Sequence, residues 1–396
     1  MSDTLKQIAE NYGAGLVNGS YLNGIAEAIG VDLSTSTDIM ADILTASGGY
    51  PENSTDYLKD IVLVLGGVEP VNGNWMEAWE AITAAPALFT TEWTTTANSE
   101  SITLPYTASG TYSGTIDWGD GNTDVNDGTV TTHTYATAGT YTVIITGDCI
   151  GCDFNTAGGS TYFTSVVNWG QLQLGPDNYG YNFAFCPNLD LSSVQGTLDL
   201  TGVTNLDGLF YDCGSLTAIN NINSWDTSAV TTMNEMFSAC FVFNQSLSFN
   251  TSAVESMFFM FADCQVFNQP INFNTSAVTN MDSMFKGCSV FNQPLSFNTS
   301  AVNDMTSMFY DAPAFNQNIG AWNVENVIAF RYFMDTKTPA TFSTTNLNAI
   351  YNGWSTQAVQ SELDISFGTA KYTGAATAGR LVLTGRKLWT ITDGGL

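Results

Sequence analysis

The chain has 396 residues, and nine lysines and arginines stand against 37 aspartates and glutamates, which gives a formal net charge of −28. A surface of this sign repels phosphate, so the composition argues against nucleic-acid binding and against docking on anionic membranes. A hydrophobic content of 44% is ample for packed cores, and the length suggests two or three domains.

The N-terminus has no features of a targeting signal. From Met1 to Leu5 there is neither a basic segment nor an apolar one, so no secretory signal peptide is expected. No run of about 18 apolar residues occurs, and therefore no membrane insertion is expected. A chain built for surface display would then need a route out of the cell other than secretion.

Residues 1–86 have the pattern of several short helices. Leu5, Ile8 and Tyr12 follow helical spacing after a polar start, and similar groups further along end at glycines or before Pro86. We expect a small helical module with a marginal core that leans on a partner or on copies of itself. The pattern loosely resembles the virion-attachment regions of phage structural proteins, which implies an anchoring contact with other virion proteins. Copies of the module that lean on one another would make a homo-oligomer on the particle.

Residues 87–148 show the alternation of β-strands separated by glycine-rich turns. Three segments, 116–122 (Ile-Asp-Trp-Gly-Asp-Gly-Asn), 133–135 (His-Thr-Tyr) and 138–143, follow in the order found in polycystic-kidney-disease (PKD) domains. The segment resembles that family, which implies an immunoglobulin-like β-sandwich. The resemblance also gives His133 a structural position rather than that of a catalytic base.

Three carboxylates in this segment suggest a calcium site. Asp117, Asp120 and Asp124 could offer hard oxygen ligands from one turn. Aspartates beside glycines are also ordinary turn residues, and we favour that interpretation. Calcium is the one cofactor that the sequence suggests; no other metal or cofactor is expected.

Residues 149–396 are dominated by a repeat of 24 residues. Phe-Asn-Gln recurs at 243–245, 267–269, 291–293 and 315–317, and Met-Phe recurs at 236–237, 260–261, 284–285 and 308–309. A period of this length predicts a leucine-rich-repeat-like α/β solenoid with a C-terminal cap, in which each coil buries its apolar side against its neighbours. The predicted fold class is therefore multidomain: a helical module, a β-sandwich and this solenoid.

The repeat unit at 278–295 resembles the BspA-like leucine-rich-repeat family of bacterial surface proteins, and the ending at 378–395 resembles the tail of such proteins. That resemblance implies adhesion and binding to a host surface. Spacing alone would not indicate either property.

Seven cysteines fall into two groups. Five occupy one repeat position, where stacking brings them within disulfide reach, but parallel side chains favour a ladder of buried reduced thiols; they are Cys186, Cys213, Cys240, Cys264 and Cys288. Cys149 and Cys152 form an isolated pair, for which a local disulfide and two plain thiols stay open. With one histidine in the chain, zinc is disfavoured.

Residues that repeat are assigned to the core, and residues that vary are assigned to binding. The repeated phenylalanines could form a platform for sugars, but invariance at one position favours a stacked core. Phe258 and Phe259 interrupt a polar row and suggest a recognition site, with a local packing variant as the alternative. The candidate binding residues are Asn234, Glu235, Glu255, Phe258, Phe259, Asn280, Asp282 and Asp304.

These observations favour a non-enzymatic structural and adhesion protein of a phage particle: a head fibre, a capsid decoration protein or a tail-associated appendage. It would bind a glycan or protein of the host surface through the solenoid and reside on the extracellular virion. The alternative is an adhesin on the bacterial cell surface. The third interpretation is a polysaccharide-degrading enzyme with paired carboxylates, although no motif singles out an acid–base pair.

Overall fold

The structure is a computed structural model that describes residues 88–155, 161–175 and 179–396. The segment Ala87–Leu396 forms one compact unit. The helical anchoring module predicted for residues 1–86 lies outside the described residues.

A five-stranded antiparallel sheet opens this unit. It contains β1 (Phe89–Thr95), β4 (Thr115–Asp117), β5 (Thr123–Val125), β7 (Gly139–Ile145) and β9 (Phe163–Asn168), in the order β5-β4-β7-β1-β9. Residues of β1 alternate between buried and half-buried, because successive side chains of a strand point to opposite faces.

Two smaller sheets complete this part of the fold. β2 (Glu100–Thr103) pairs with β6 (Thr132–Tyr135), and β8 (Cys149–Cys152) lies between β3 (Tyr106–Tyr112) and β10 (Leu172–Gln173). Residues 87–148 therefore do not form a separate two-sheet sandwich, as the sequence suggested. Strands β8, β9 and β10 come from beyond residue 148, so hydrogen bonds cross the expected boundary between the second and third domains.

Stacked coils follow, and they are joined by isolated parallel bridges rather than by long strands. One row of bridges links Thr232, Ser256, Asn280, Asp304 and Ala329. In each coil alternate backbone N–H groups donate to the next coil, while the N–H groups between them close turns within the coil. Between coils, the N–H of Glu235 donates to the carbonyl of Phe258 at 2.7 Å and the N–H of Phe237 donates to that of Met260 at 3.0 Å. Within the coil, the N–H of Ser238 donates to the carbonyl of Glu235 at 3.0 Å.

A residue in the left-handed conformation recurs in every coil of the regular region. The φ values are 56° at Glu235, 54° at Phe259, 56° at Ser283, 50° at Ser307 and 59° at Tyr332. This conformation closes tight turns at a cost to residues with a side chain. The coil is thus a ribbon of turns.

Repeated apolar side chains fill the interior of the stack. Phe237, Phe261, Phe285 and Phe309 are fully buried, and each ring centroid lies 5.8 Å from the next. The prediction that these phenylalanines form the core is confirmed.

The cysteines of the repeat form the expected ladder of buried free thiols. The Cys264 thiol donates to the carbonyl oxygen of Phe237 at 3.0 Å, and the Cys288 thiol donates to that of Phe261 at the same distance. The thiols of Cys213, Cys240, Cys264 and Cys288 therefore each tie two neighbouring coils together, whereas that of Cys186 donates to Ala184 within its own coil.

The expected fold class, with an α/β solenoid, is wrong. The two α-helices of the described residues are α1 (Thr344–Trp354) and α2 (Thr377–Leu381), and both lie after the repeats. Most of the regular structure consists of β-strands in several small sheets. The period correctly indicated stacked repeats, but turns satisfy the backbone of each coil where a helix was expected.

The chain ends in a segment that covers the last coil. Ser343 caps α1 by accepting from the backbone N–H of Asn346, and α2 continues into a π-helix at Val382–Arg386. β11 (Asp364–Ser366) and β12 (Thr390–Thr392) form a two-stranded parallel sheet, and Phe330 of the last coil bridges to Ile365. This segment thus closes one end of the stack.

A binding surface on the stacked coils

One side of the stack carries the residues that differ between repeats, and we call it the variable face. It comprises the positions equivalent to the two residues between the methionines of the regular coils, such as Asn234 and Glu235, and to the two residues after Met-Phe. The members used below are Tyr181, Tyr211, Asn234, Glu235, Phe258, Phe259, Asp282, Lys286, Tyr310, Arg331 and Tyr332.

Aromatic rings occur on this face in three groups. Tyr181 and Tyr211 have ring centroids 6.0 Å apart, and Tyr310 and Tyr332 have theirs 6.3 Å apart. Between these groups lie the half-buried rings of Phe258 and Phe259, with centroids 4.4 Å apart and a tilt of 52°. Neither ring belongs to the buried core.

The face also holds two cations in an acidic chain. Between Lys59 and Lys337 the sequence has two basic residues, Lys286 and Arg331, and both lie here. The Lys286 Nζ atom is 5.2 Å from the ring centroid of Phe259, and the Arg331 guanidinium carbon is 4.7 Å from that of Tyr332. Cations at such distances are attracted to the face of the ring, so they hold the aromatic side chains in place.

A polar network fixes the backbone beneath the phenylalanine pair. The carboxylate of Asp207 accepts from the backbone N–H of Asn234 at 2.7 Å. The amide oxygen of Asn234 in turn accepts from the hydroxyl of Ser256 at 2.6 Å and from the N–H of Phe258 at 3.0 Å. The side chain of Asn234 is therefore committed to the fold rather than free for a ligand.

The carboxylates of the next coils are also engaged. Burial, together with the charge of Asp304, raises the pKa of Asp282, although a hydrogen bond from Ser283 and the charge of Lys286 act in the opposite direction. Asp304 accepts from the backbone N–H of Thr306 at 2.8 Å, and Asn280 accepts from that of Asp282 at the same distance. These side chains shape the turns of the face.

The structure brings the eight predicted binding residues together on adjacent coils. Glu255 is exposed and the other seven are half-buried. Glu235 accepts from the hydroxyl of Tyr181 at 3.0 Å, across two coils. Four residues of the face were not predicted from the sequence: Lys286, Tyr310, Arg331 and Tyr332. Lys286 and Tyr310 directly follow Met-Phe, where the residue also differs between repeats, so the same criterion would have identified them.

The three aspartates considered for calcium have different protein partners. Asp117 accepts from the N–H of Gly119, Asp124 accepts from the indole of Trp118 at 2.8 Å, and Asp120 lies 2.8 Å from His133 Nε2. Partial burial opposes the shift, but the hydrogen bonds from His133 and Asn122 hold the pKa of Asp120 below its usual value. Within the described ranges no group of three or more His, Cys, Asp or Glu side chains could hold a metal ion.

His133 belongs to an aromatic cluster. Its ring stacks on Trp118 with centroids 4.8 Å apart, and the Trp118 carbonyl accepts from the hydroxyl of Tyr135 at 2.8 Å. These contacts give His133 a packing role beside the Asp120 turn.

Residues 181–295, 248–346 and 271–375 match the family described as "Mycoplasma protein of unknown function, DUF285". The chain is similar to this family through the stacked coils. No curated protein and no solved structure matches the chain. In the part of the chain that the structure describes, no helix is long and apolar enough to cross a membrane.

Proposed function

We propose that this chain is a non-enzymatic attachment protein that binds its target through the variable face. The observation that carries the proposal is the concentration of half-buried aromatic rings and both nearby cations on the side of the coils that varies. Aromatic side chains and arginine are the residue types enriched at recognition surfaces. The core positions repeat because packing fixes them. Residues of the variable face can change without disturbing that packing, so changes there can alter ligand specificity while the fold is kept.

The target class follows from the composition of the face. Aromatic rings surrounded by carboxylates and amides suit the apolar faces and hydroxyl groups of surface glycans, or a polar protein surface. The net charge of −28 disfavours phosphate-rich targets. We therefore infer a glycan or protein of a host cell surface as the target.

For the location we propose a phage particle, on which residues 1–86 contact other virion proteins. The resemblance of those residues to virion-attachment regions supports this location. An adhesin on a bacterial cell is the second candidate, and the family description, which names a Mycoplasma protein, favours it. The likeness of the repeats to BspA-like surface proteins and of residues 116–143 to PKD domains fits either location.

The test replaces the phenylalanine pair by the residues found one coil later. The full chain with Phe258→Asp and Phe259→Ser keeps the repeat pattern, because Asp282 and Ser283 occupy the equivalent positions. Adsorption to a panel of bacterial cells and to a glycan array is measured beside a thermal melt. We expect adsorption to fall at least about tenfold with an unchanged melt, since a central aromatic pair contributes about 2 kcal/mol or more.

Val266→Thr is the matched control. Val266 is exposed on the same coil but lies beyond the cysteine, outside the variable face. Equal adsorption by the double variant, the control and the unaltered chain would refute the assignment of the face. A collapsed melt in the double variant would show that the two rings belong to the core.

A further inference from the structure

Cys149 and Cys152 stand at the two ends of strand β8, and their sulfur atoms are in contact. Both thiols are free and buried, and the two Sγ atoms lie 3.0 Å apart. The thiols of the ladder cysteines are directed instead at backbone carbonyl oxygens, as in Cys264 and Cys288. At β8, therefore, two thiols of this chain meet each other rather than the backbone.

A regular strand would keep these two side chains apart. Successive side chains of a strand point to opposite faces, so residues three positions apart lie on opposite faces. Gly151 has a φ of 85°, and the register of β3 against β8 shifts between Tyr106 and Thr111, opposite this glycine. Both ends of β8 are consequently buried. The irregular backbone at Gly151 thus brings the two thiols to one site.

Hydrogen bonds from both sides hold this backbone in place. From β3, the hydroxyl of Tyr112 donates to the carbonyl of Gly151 at 2.9 Å. From the first coil, the Nδ2 of Asn182 donates to the carbonyl of Cys152 at 2.9 Å, and the carbonyl of Asn182 accepts from the backbone N–H of Phe154 at 2.6 Å. The fold therefore holds the two sulfur atoms together before any bond joins them.

Contact in the folded state favours the disulfide over the dithiol. A disulfide restricts the unfolded chain, so a fold in which the two sulfur atoms already meet is stabilised by the bond. The relation is reciprocal, and the fold must stabilise the disulfide by the same factor. Burial also limits exchange with external thiols, because it raises the pKa of Cys152 well above its usual value and the thiolate is the reactive species. The bond should therefore form while the strand is open and persist once the strand has closed.

We propose that Cys149 and Cys152 are a redox site that closes into a disulfide in an oxidising medium, while the five ladder cysteines stay reduced. The oxidant is a small disulfide such as oxidised glutathione. One cysteine thiolate displaces a thiol from it and forms a mixed disulfide, and the second cysteine displaces the other thiol. The two cysteines lose two protons and two electrons, which the two released thiols carry. The bond fixes the junction between β8 and the first coil, and the proposal does not depend on the function proposed for the variable face.

The experiment determines the redox state of each cysteine. The full chain is held in a buffer of reduced and oxidised glutathione, folded in one sample and unfolded by urea in another, and equilibrium is approached from both reduced and oxidised starting material. Free thiols are then labelled under denaturing conditions and located by mass spectrometry of peptides. In the folded chain we expect all seven cysteines except Cys149 and Cys152 to be labelled. Unfolding should lower the ratio of disulfide to dithiol at least about tenfold.

Thermal melts measure the effect of the bond on the fold. The oxidised chain should melt about 3 °C or more above the reduced chain. The double variant Cys149→Ala/Cys152→Ala should melt at the same temperature in both media. Cys264→Ala, the matched control from the ladder, should keep both the bond and the difference between the two melts.

Labelling of all seven cysteines in the folded chain would overturn the proposal, and so would a disulfide that involves a ladder cysteine. An equal ratio of disulfide to dithiol in the folded and unfolded samples, or equal melts of the oxidised and reduced chains, would show that the fold does not favour the bond and would overturn it as well. Labelling of the unaltered chain decides the proposal even if a variant fails to fold.

Discussion

At the scale of single residues, Lys337 is the most unusual side chain of the stack. It is 1% exposed, in the position that cysteines hold in earlier coils, and its Nζ donates to the carbonyl oxygens of Ala312 and, at 2.6 Å, of Phe315. Burial lowers the pKa of Lys337 to about 7 from 10.5. A group of this kind makes stability depend on pH.

The sign of that dependence follows from the two pKa values. Between about pH 7 and 10.5 the unfolded chain carries a proton on Lys337 that the folded chain lacks, so unfolding takes up a proton and stability rises with pH. Below pH 7 both states are protonated and the dependence ends. Between pH 7.5 and 9 the free energy of unfolding of the unaltered protein should rise, relative to that of Lys337→Met, by up to about 1.4 kcal/mol per pH unit.

Denaturant titrations of both proteins across this range measure the difference, and the variant removes contributions from other titrating groups. A difference that is flat with pH would show that the folded lysine keeps its ordinary pKa. A difference that falls with pH would contradict the burial argument itself.

Two tryptophans at one repeat position give a matched pair. Trp225 is 4% exposed and its indole N–H has no partner among the described residues, whereas the indole of Trp322 donates to the carbonyl of Leu295 at 3.4 Å. The intervening coils carry phenylalanine there, as at Phe249 and Phe273. Trp225→Phe should lower the free energy of unfolding by less than about 1 kcal/mol. Trp322→Phe should lower it by about 1–2 kcal/mol more, because the carbonyl of Leu295 loses its hydrogen-bond donor.

Urea unfolding of the two variants tests this order. The reverse order would mean that lost ring volume outweighs hydrogen bonding at both sites.

At the scale of the coil, the left-handed turn residue is the element that the 24-residue period does not reveal. Ser307 has a φ of 50°, and its neighbour Thr306 is not among the residues with positive φ. Ser307→Val should therefore destabilise the protein by about 1–2 kcal/mol, because a β-branched residue is strained in this conformation. Thr306→Val, one position earlier, should cost less than about 0.5 kcal/mol.

Ser307→Gly supplies a second comparison, since glycine occupies the equivalent position at Gly208 with a φ of 56°. It should be tolerated because glycine adopts this conformation without strain. Chemical denaturation gives all three values. If Ser307→Gly lowers the free energy of unfolding as much as Ser307→Val does, the destabilisation comes from loss of the serine side chain and not from backbone strain.

The sequence predicted the stacked core well, since Met, Phe and Cys recur where buried contacts recur. It did not predict the secondary structure of the coil, because period 24 is shared by coils that contain a helix and coils made of turns. The left-handed positions are held by Glu235, Phe259 and Ser283, and none of these is Gly or Asn, the types that most often adopt a positive φ, so local propensity did not indicate the turn.

The variable face was only partly predictable. Phe258 and Phe259 stood out as a departure from the repeat, but their packing against Lys286 depends on which residues adjacent coils place side by side. The pairing of β8 with β3 and of β9 with β1 was missed because both pairs cross the boundary that composition suggested at residue 148. Contacts between segments that are far apart in the chain cannot be recognised from a local sequence pattern.

At the scale of the whole molecule, the stack should tolerate removal of one complete repeat. Deleting residues 257–280 joins Ser256 to Met281. The N–H of Glu235, which now donates to the carbonyl of Phe258, would then find the carbonyl of Asp282 at the equivalent position. The shortened chain should melt cooperatively with a Tm lowered by about 5 °C, because each coil contacts only its neighbours.

Deletion of residues 257–268, half a repeat, is the control. It places core positions opposite surface positions and should abolish cooperative melting. Circular dichroism and calorimetry measure both variants. If the half-repeat deletion melts as well as the full one, the register of the coils is not what holds the stack together.

The central claim is that the variable face is the surface that touches the target, and oxidative footprinting of the aromatic side chains tests it most directly. The full chain is labelled with hydroxyl radicals free and when adsorbed to the cells that it binds. We predict that Phe258, Phe259, Tyr310 and Tyr332 become protected while Phe241, exposed outside the face, is labelled equally in both states. Unchanged labelling of those four rings during adsorption, with protection elsewhere on the chain, would contradict the account.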